Sequence, residues 1–259
     1  MPPITACVIT LNEEDNIGRV LGSLSDFPEV ILLDSGSIDK TLEIASQFKN
    51  TSIHHRTFDN YINQKNHCIS LSKNDWILSL DADECITDTF FNEIKSFPEE
   101  YWKQYNGFES PRLSFYLGKW IYHGGWYPNY QLRLFNRKYG KFEGVLVHEK
   151  VKITGNSQKI NFPILHYSYK NISHHLKFIN SYSSLTAEEK YRKGKKSGVV
   201  FAILKCMFKF FSMYILKLGF LDGRPGLVIA VLGGYYNFLK YIKLYEIHLN
   251  NNHDSRYSN

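Results

Sequence analysis

The sequence predicts an α/β domain on a mostly parallel sheet, followed by a helical, basic C-terminal region. Three observations carry that prediction. Apolar runs of strand length alternate with helical stripes from residue 4 to residue 83. Three of those runs end in polar clusters: Thr10/Asn12/Glu13, Asp34/Ser35/Gly36 and Asp81/Asp83. Charge divides sharply, with 15 Lys/Arg against 20 Asp/Glu in residues 1–150 and 16 against 5 in residues 151–259, a net of −5 and of +11. In a parallel sheet with right-handed crossovers the carboxyl ends of the strands share one edge, so the clusters should converge on one crevice.

Taken in order, Ile4–Thr10 reads as a buried strand. Asn12 follows as an N-cap, with Glu13 and Glu14 in the first turn of a helix whose stripe is Ile17, Val20, Leu21 and Leu24. Glu29–Asp34 is a second strand, and Asp39 caps a helix carrying Leu42, Ile44, Ala45 and Phe48. Thr51–Arg56 is a shorter strand and Tyr61 to Leu71 a helix. Residues 76–84, Trp-Ile-Leu-Ser-Leu-Asp-Ala-Asp-Glu, then form a strand too apolar for anywhere but the interior of a sheet, delivering Asp81 and Asp83 at its end. Paired hard oxygen ligands at such an edge suit Mg²⁺ or Mn²⁺ held together with phosphates, and a solvated acidic turn would look the same.

From Tyr105 to His166 the pattern loosens into short strands and loops rich in aromatic residues, including Trp120 and Trp126. Asn171 to Lys193 reads as a helix, and Lys190–Lys196 as a basic run. The stretch Val199–Phe220 is apolar but interrupted by Lys205, Lys209 and Lys217, and Leu227–Leu239 is apolar again. Neither reaches the ~20 uninterrupted apolar residues of a membrane span. Both fit helices in an anionic membrane interface, or a helical pair packed on the sheet. Residues 250–259 read as a disordered tail, which sets the expected boundaries: a catalytic domain at 1–170, a membrane-associating helical region at 171–249, and the tail.

Composition narrows the function further. Apolar residues at 43% and charged residues at 22% are ordinary for a globular protein, and the 15% aromatic content suits sugar stacking, a membrane interface or an aromatic core. The four cysteines have no metal-type spacing, and the first residues carry no secretory pattern; both fit a reducing, cytoplasmic setting. No Gly-x-Gly-x-x-Gly follows the first strand and no P-loop occurs, which argues against a dinucleotide-dependent oxidoreductase or a P-loop protein. Leu11-Asn12-Glu13-Glu14 is too acidic to cradle a triphosphate. A non-enzymatic membrane or polyanion binder remains open; the apolar aromatics beside the lysines favour membrane over nucleic acid.

The order of motifs then resembles the inverting GT-A glycosyltransferases of family 2, and within them the lipopolysaccharide core β-1,4-glucosyltransferase group. The resemblance rests on Val8-Ile9-Thr10-Leu11-Asn12-Glu13-Glu14, Asp34-Ser35-Gly36-Ser37-Ile38-Asp39-Lys40-Thr41, Gln64-Lys65-Asn66 and Leu80-Asp81-Ala82-Asp83-Glu84. It continues through Gln131-Leu132-Arg133-Leu134-Phe135, Val147-His148-Glu149 and Phe220-Leu221-Asp222-Gly223, covering roughly residues 4–245. Ile38 stands where Thr is usual.

The resemblance implies a GT-A fold, a UDP-sugar donor, a divalent metal and a glycan or lipid-linked acceptor. Thr10, Leu11, Asn12, Glu13, Asp34, Ser35 and Gly36 would hold the nucleoside, Lys65 the donor phosphates, and Asp81 with Ala82 the ribose side. Lys65 could equally be a solvated helical lysine. Asp83 would bind the metal, with His166 as a distal ligand or a structural histidine. Arg133 would contact diphosphate or acceptor. Glu149 is the chosen general base, ahead of Glu143 and Glu84, with a salt bridge to Arg133 or Arg137 as its alternative use. Trp120 and Trp126 would wall the acceptor or pack in the core. The expected setting is peripheral, on the inner face of the cytoplasmic membrane.

Overall fold

The computed structural model describes residues 1–144 and 149–257, and within them two compact units. The first comprises residues 1–114 and 128–167. It begins β1 (Ile4–Thr10), α1 (Ile17–Gly22), β2 (Glu29–Asp34), α2 (Thr41–Ala45), β3 (Thr51–His55), α3 (Tyr61–Ser70) and β4 (Trp76–Asp81). It continues β5 (Glu84–Cys85), α4 (Asp88–Ser96), α5 (Glu99–Gln104) and β6 (Gly107–Tyr116). Phe115 and Tyr116, at the end of β6, and all of β7 (Lys119–Ile121) belong to the second unit. The first unit resumes with β8 (Asn129–Asn136), β9 (Gly140–Glu143), β10 (Lys150–Ile153), β11 (Ser157–Lys159) and β12 (Ile164–His166).

The main sheet has the order β3-β2-β1-β4-β8-β6-β12-β5. β3, β2, β1 and β4 run parallel, β8 is antiparallel to both neighbours, and β12 pairs with β6 in parallel. Side-chain alternation divides the central strands between two cores. Ile4, Ala6, Val8, Val30, Leu32, Leu78 and Leu80 pack with α1 and α4 residues such as Leu21 and Phe90. Cys7, Ile31, Leu33 and Ile77 pack on the opposite face with Cys68 and Ile69 of α3 and with Phe135 and Phe142. The cysteines are free thiols.

Several local expectations are corrected. Asn12 does not cap the first helix, which starts later, at Ile17 with Asn16 at its cap. Asn12 instead adopts φ 55°, a left-handed conformation Asn tolerates, and reaches across to the loop after β2. Its N–H donates to Ser37 Oγ at 2.9 Å and its Oδ1 accepts from the Ile38 N–H at 2.9 Å. β4 stops at Asp81, where the Asp81 N–H is taken by Glu84 Oε2 at 3.2 Å and the chain turns.

The second unit, residues 115–127 and 168–259, is helical apart from the end of β6 and β7. α6 (Ile172–Arg192) is capped by Asn171, whose side chain accepts from the His174 N–H. α7 (Val199–Phe211) runs on through a π-helical turn to Leu216, and a 3₁₀ turn leads into α8 (Arg224–Tyr257). The helix thus covers most of the expected disordered tail; of that tail, Ser258 and Asn259 lie outside the described residues. α7 and α8 approach closely because Gly233 and Gly234 face Met213 and the Cys206 carbonyl, where a Cβ would crowd both.

α7 is amphipathic in an inverted sense. Its outward face carries Val200 (71% exposed), Met207 (62%) and Phe208 (65%), while the buried Ala202 and Met213 share the inward side with the half-buried Lys209. Val199–Leu216 has a mean hydropathy of 1.9 over 18 residues, with 11% of the stretch buried. By length and composition it is enough to cross a membrane, whereas the sequence pattern suggested neither apolar segment would be.

Candidate active site

The carboxyl edge of the first unit's sheet gathers the polar clusters. β1, β2 and β4 are in parallel register with Thr10 opposite Asp34 and Ile9 opposite Asp81. Thr10 Oγ1 is buried without a hydrogen-bond partner among the described residues. Asp34, 1% exposed, accepts from the N–H groups of Gly36 and Ser37 and sits 3.3 Å from His55 Nδ1. It therefore shapes the Ser35-Gly36 turn as well as facing the edge; Gly36, at φ 107°, supplies a conformation other residues resist. Glu13 joins the same loop pair through its N–H, which donates to Thr41 Oγ1 at 2.8 Å. Leu11 is exposed at the turn.

The consecutive residues Gln64, Lys65 and Asn66 on α3 each tie the helix to a different element. Gln64 is fully buried and donates to Ser35 Oγ and the Arg56 carbonyl. Asn66 makes a reciprocal pair with the backbone of Phe142 on β9, both bonds at 2.9 Å. Lys65, 4% exposed, lies between two carboxylates, its Nζ 2.9 Å from Asp81 Oδ1 and 3.2 Å from Glu149 Oε1. The solvated-helix alternative for Lys65 is thereby excluded. Glu149 takes this lysine as its partner rather than Arg133 or Arg137; Val147 and His148 of its motif lie outside the described residues.

Asp81 is also held by Arg133, NH2 to Oδ2 at 2.8 Å, and the same nitrogen reaches Glu84 Oε1 at 2.7 Å. Burial alone would raise the Asp81 pKa, but Lys65 and Arg133 outweigh it and hold the carboxyl well below the usual carboxylate range. The same carboxylates, Glu84 foremost, overcome burial at Arg133 and raise its pKa. Glu84, fully buried and further paired with Arg112 at 3.5 Å, is locked beneath the turn. Glu143 sits on the β9–β10 hairpin between the exposed Lys141 and Lys152. Of the three acids considered as base, Glu149 is the one joined to the Asp81 cluster through Lys65.

Asp83 stands apart from this network. Its Oδ2 is 3.2 Å from His166 Nε2, and His166 Nδ1 is 3.3 Å from Ser114 Oγ on β6. β12 and β5 pair His166 with Glu84, which fixes the histidine beside the turn, and the Tyr167 N–H donates to the Asp83 carbonyl at 2.9 Å. Among the described residues no group of three or more His, Cys, Asp or Glu gathers for a metal. A carboxylate and an imidazole side by side nevertheless fit Mg²⁺ or Mn²⁺, which use one or two protein ligands and fill the rest with phosphate and water. Ala82 is buried between the two acids.

Sequence reasoning missed Arg112 and Ser114, which no local pattern marks. Trp126 packs within the second unit against Tyr116 and His175, with ring centroids 5.5 and 6.2 Å away. Trp120 stacks edge-on to Phe115. Asp222, of the Phe-Leu-Asp-Gly motif, also belongs to the second unit. It is 2% exposed and accepts from the His123 N–H at 2.8 Å, the Tyr122 N–H at 3.3 Å and His123 Nδ1 at 3.0 Å.

Comparison with known proteins identifies the family. The family model described as glycosyl transferase family 2 matches residues 5–146. An uncharacterised glycosyltransferase of Rickettsia typhi is 27% identical over 260 residues, 96% of this chain and 89% of that protein. The lipopolysaccharide core biosynthesis glycosyltransferase LpsC of Rhizobium meliloti is 25% identical over 252 residues, 95% of this chain and 93% of LpsC. Among solved structures, S. aureus TarS 1–349 in complex with UDP-GlcNAc superposes with a TM-score of 0.50 at 15% identity, covering 93% of this chain and 89% of TarS 1–349. That likeness is one of GT-A fold.

Proposed function

Since the chain belongs to glycosyl transferase family 2 and is a glycosyltransferase, we propose that it moves a hexose, glucose first among the candidates, from a UDP-sugar to a lipopolysaccharide-core or other lipid-linked glycan, with inversion at the sugar. The observation that carries this reading is the division of acids at one sheet edge: Asp83 beside His166, and Asp81 tied through Lys65 to Glu149. The likeness to LpsC favours a cell-envelope glycan as acceptor.

Asp83 and His166 would hold Mg²⁺ or Mn²⁺ beside the donor diphosphate, where the ion would supply positive charge against that developing on the leaving UDP. Thr10, Leu11, Asn12, Glu13, Asp34, Ser35 and Gly36 form the nucleoside-binding edge, where Asp34 and the unpartnered Thr10 hydroxyl offer acceptors and a donor. Asp81, kept ionised by Lys65 and Arg133, faces the ribose side with Ala82. Lys65 supplies positive charge toward the diphosphate while holding Glu149 in position. Glu149 takes the proton from the acceptor hydroxyl as that oxygen attacks the anomeric carbon from the face opposite UDP. Inversion in one displacement needs no covalent enzyme intermediate.

The second unit supports attachment to an anionic membrane at its cytoplasmic face. The outward apolar face of α7 and the exposed run Lys193, Lys195 and Lys196 offer both contributions that interfacial helices use. Thermal shifts with UDP-, GDP- and dTDP-sugars, each with and without Mn²⁺, test the donor side. Metal-dependent stabilisation by UDP-sugars alone is expected; equal shifts with all three nucleotides would overturn the UDP assignment.

A further inference from the structure

The second unit carries a partly open cavity of about 510 Å³, within the roughly 300–1,000 Å³ usual for ligand sites. α6 contributes His175, Phe178 and Tyr182; α7 contributes Lys209; α8 contributes Tyr236, Asn237 and Lys240. Among the described residues, no Asp or Glu lines it.

Both lysines are half-buried, and the charges around them repel rather than pair. Lys240 feels Lys190, Lys209 and Lys205, and Lys209 feels Lys217. Lys240 Nζ donates to Asn237 Oδ1 at 2.9 Å and lies over the rings of Tyr236 and Tyr241, which leaves its charge uncompensated by any carboxylate among the described residues. Burial first, then those lysines, push the Lys240 ammonium down to about 8. Burial also keeps His175 neutral, its pKa down to about 4, with Tyr116 hydroxyl 2.8 Å from its Nδ1. A folded protein keeps two such ammonium groups facing one cavity at a cost, and an anion in the cavity removes that cost.

We infer that this cavity is a binding site for the phosphate of an anionic lipid headgroup, held by Lys209 and Lys240. The inverted α7 helix singles out a lipid over a free phosphate. Lys209 lies on its inward side while Val200, Met207 and Phe208 stand outward, so one helix offers charge to a headgroup and apolar surface to acyl chains. Trp126, Tyr182 and Tyr236 line the same cavity and carry the apolar rings with polar tips that suit headgroup depth.

The site goes beyond general attraction to a charged membrane, although it rests on the membrane reading above. Its test measures binding of the full chain to phosphatidylcholine vesicles containing either phosphatidic acid or an equal charge of phosphatidylserine. The pair Lys209→Gln/Lys240→Gln is compared with Lys195→Gln/Lys196→Gln, which removes the same charge from the exposed run. The cavity pair should weaken binding to phosphatidic acid by about tenfold or more, with a smaller loss on phosphatidylserine. The surface pair should lower both alike. Equal losses from the two pairs on both lipids would overturn the site while leaving membrane binding intact. Absence of wild-type binding to either vesicle would overturn both. Stabilisation by inorganic phosphate that the cavity pair abolishes, without lipid selectivity, would assign the cavity to a soluble phosphate and overturn the lipid reading. Removing half-buried, uncompensated charges should also leave the melting temperature unchanged or raised, so loss of binding cannot be misread as unfolding.

Discussion

Lys65 and Glu149 lie 84 positions apart in the chain and meet at 3.2 Å, with Asp81 on the other side of the same ammonium at 2.9 Å. One buried cation thus links the strand-end carboxylate to the acid chosen as base. Lys65→Met should lower turnover by about 100-fold and destabilise the fold by about 1–3 kcal/mol at neutral pH, since two carboxylates lose a shared charged partner. Chemical denaturation and single-turnover kinetics measure the two effects. A variant as active and as stable as wild type would sink the linkage.

The contact of Asp81 with Lys65 gives a pH dependence of stability. The folded-state pKa of Asp81 is depressed, so its contribution is present above the unfolded carboxyl value near 4 and is lost only as pH falls through the much lower folded value. The stability gap between wild type and Lys65→Met should therefore be widest at neutral pH and narrow as pH drops below about 4. Urea titrations across pH 2–7 check this, and a gap that widens on acidification would contradict it.

Asp83 is on the turn after β4 and bonds to His166 rather than to the buried network. Asp83→Ala should cost roughly 10³-fold or more in transfer with little change in melting temperature, and should erase the extra stabilisation that Mn²⁺ adds to a UDP-sugar. Removal of metal by a chelator should reproduce the loss in wild type. Retained transfer with added metal would remove Asp83 from the ligand set.

Glu149→Gln keeps the shape but not the basicity. Turnover should fall by about 10²–10⁴-fold while the donor dissociation constant stays within a few-fold. A near-normal rate would place the base elsewhere.

Asp222 organises the loop Tyr122-His123-Gly124-Gly125-Trp126 in the second unit through two N–H groups and an imidazole. Asp222→Asn should destabilise that unit by about 2 kcal/mol, because the charge-assisted bonds weaken and the buried amide brings N–H groups without acceptors. Hydrogen exchange of α7 and α8 reports it directly; unchanged protection there would show the loop is held by other means.

Much of the edge was legible in local sequence. Alternation of apolar runs with helical stripes is a short-range signal, and β1, β2, β3 and α3 begin where that signal places them. The position of Asp34 and Asp81 on one edge follows from parallel strands of similar length. Asn12 misled because an Asn before a helical stripe is an N-cap in most settings; here a left-handed turn, the Ser37 hydroxyl and the Ile38 N–H take it instead. The tail misled because a polar composition does not stop a helix already nucleated over the preceding apolar turns of α8.

What the sequence by itself determined is the order of strands and helices as far as Asp81 and the residue types that reach those strand ends, since periodicity is written in neighbouring residues. What only the tertiary structure decided is which charge meets which. Glu84, Asp81 and Glu149 are three acids of one chemistry, and their different surroundings come from β8 bringing Arg133 to the first two and α3 bringing Lys65 to the last two. Ion pairs form only within a few ångströms, a distance set by the docking of elements far apart in the chain. The inward turn of Lys209 has the same origin: its place as an interruption of an apolar stretch was visible in the sequence, but the side of α7 that packs was settled by the glycines of α8.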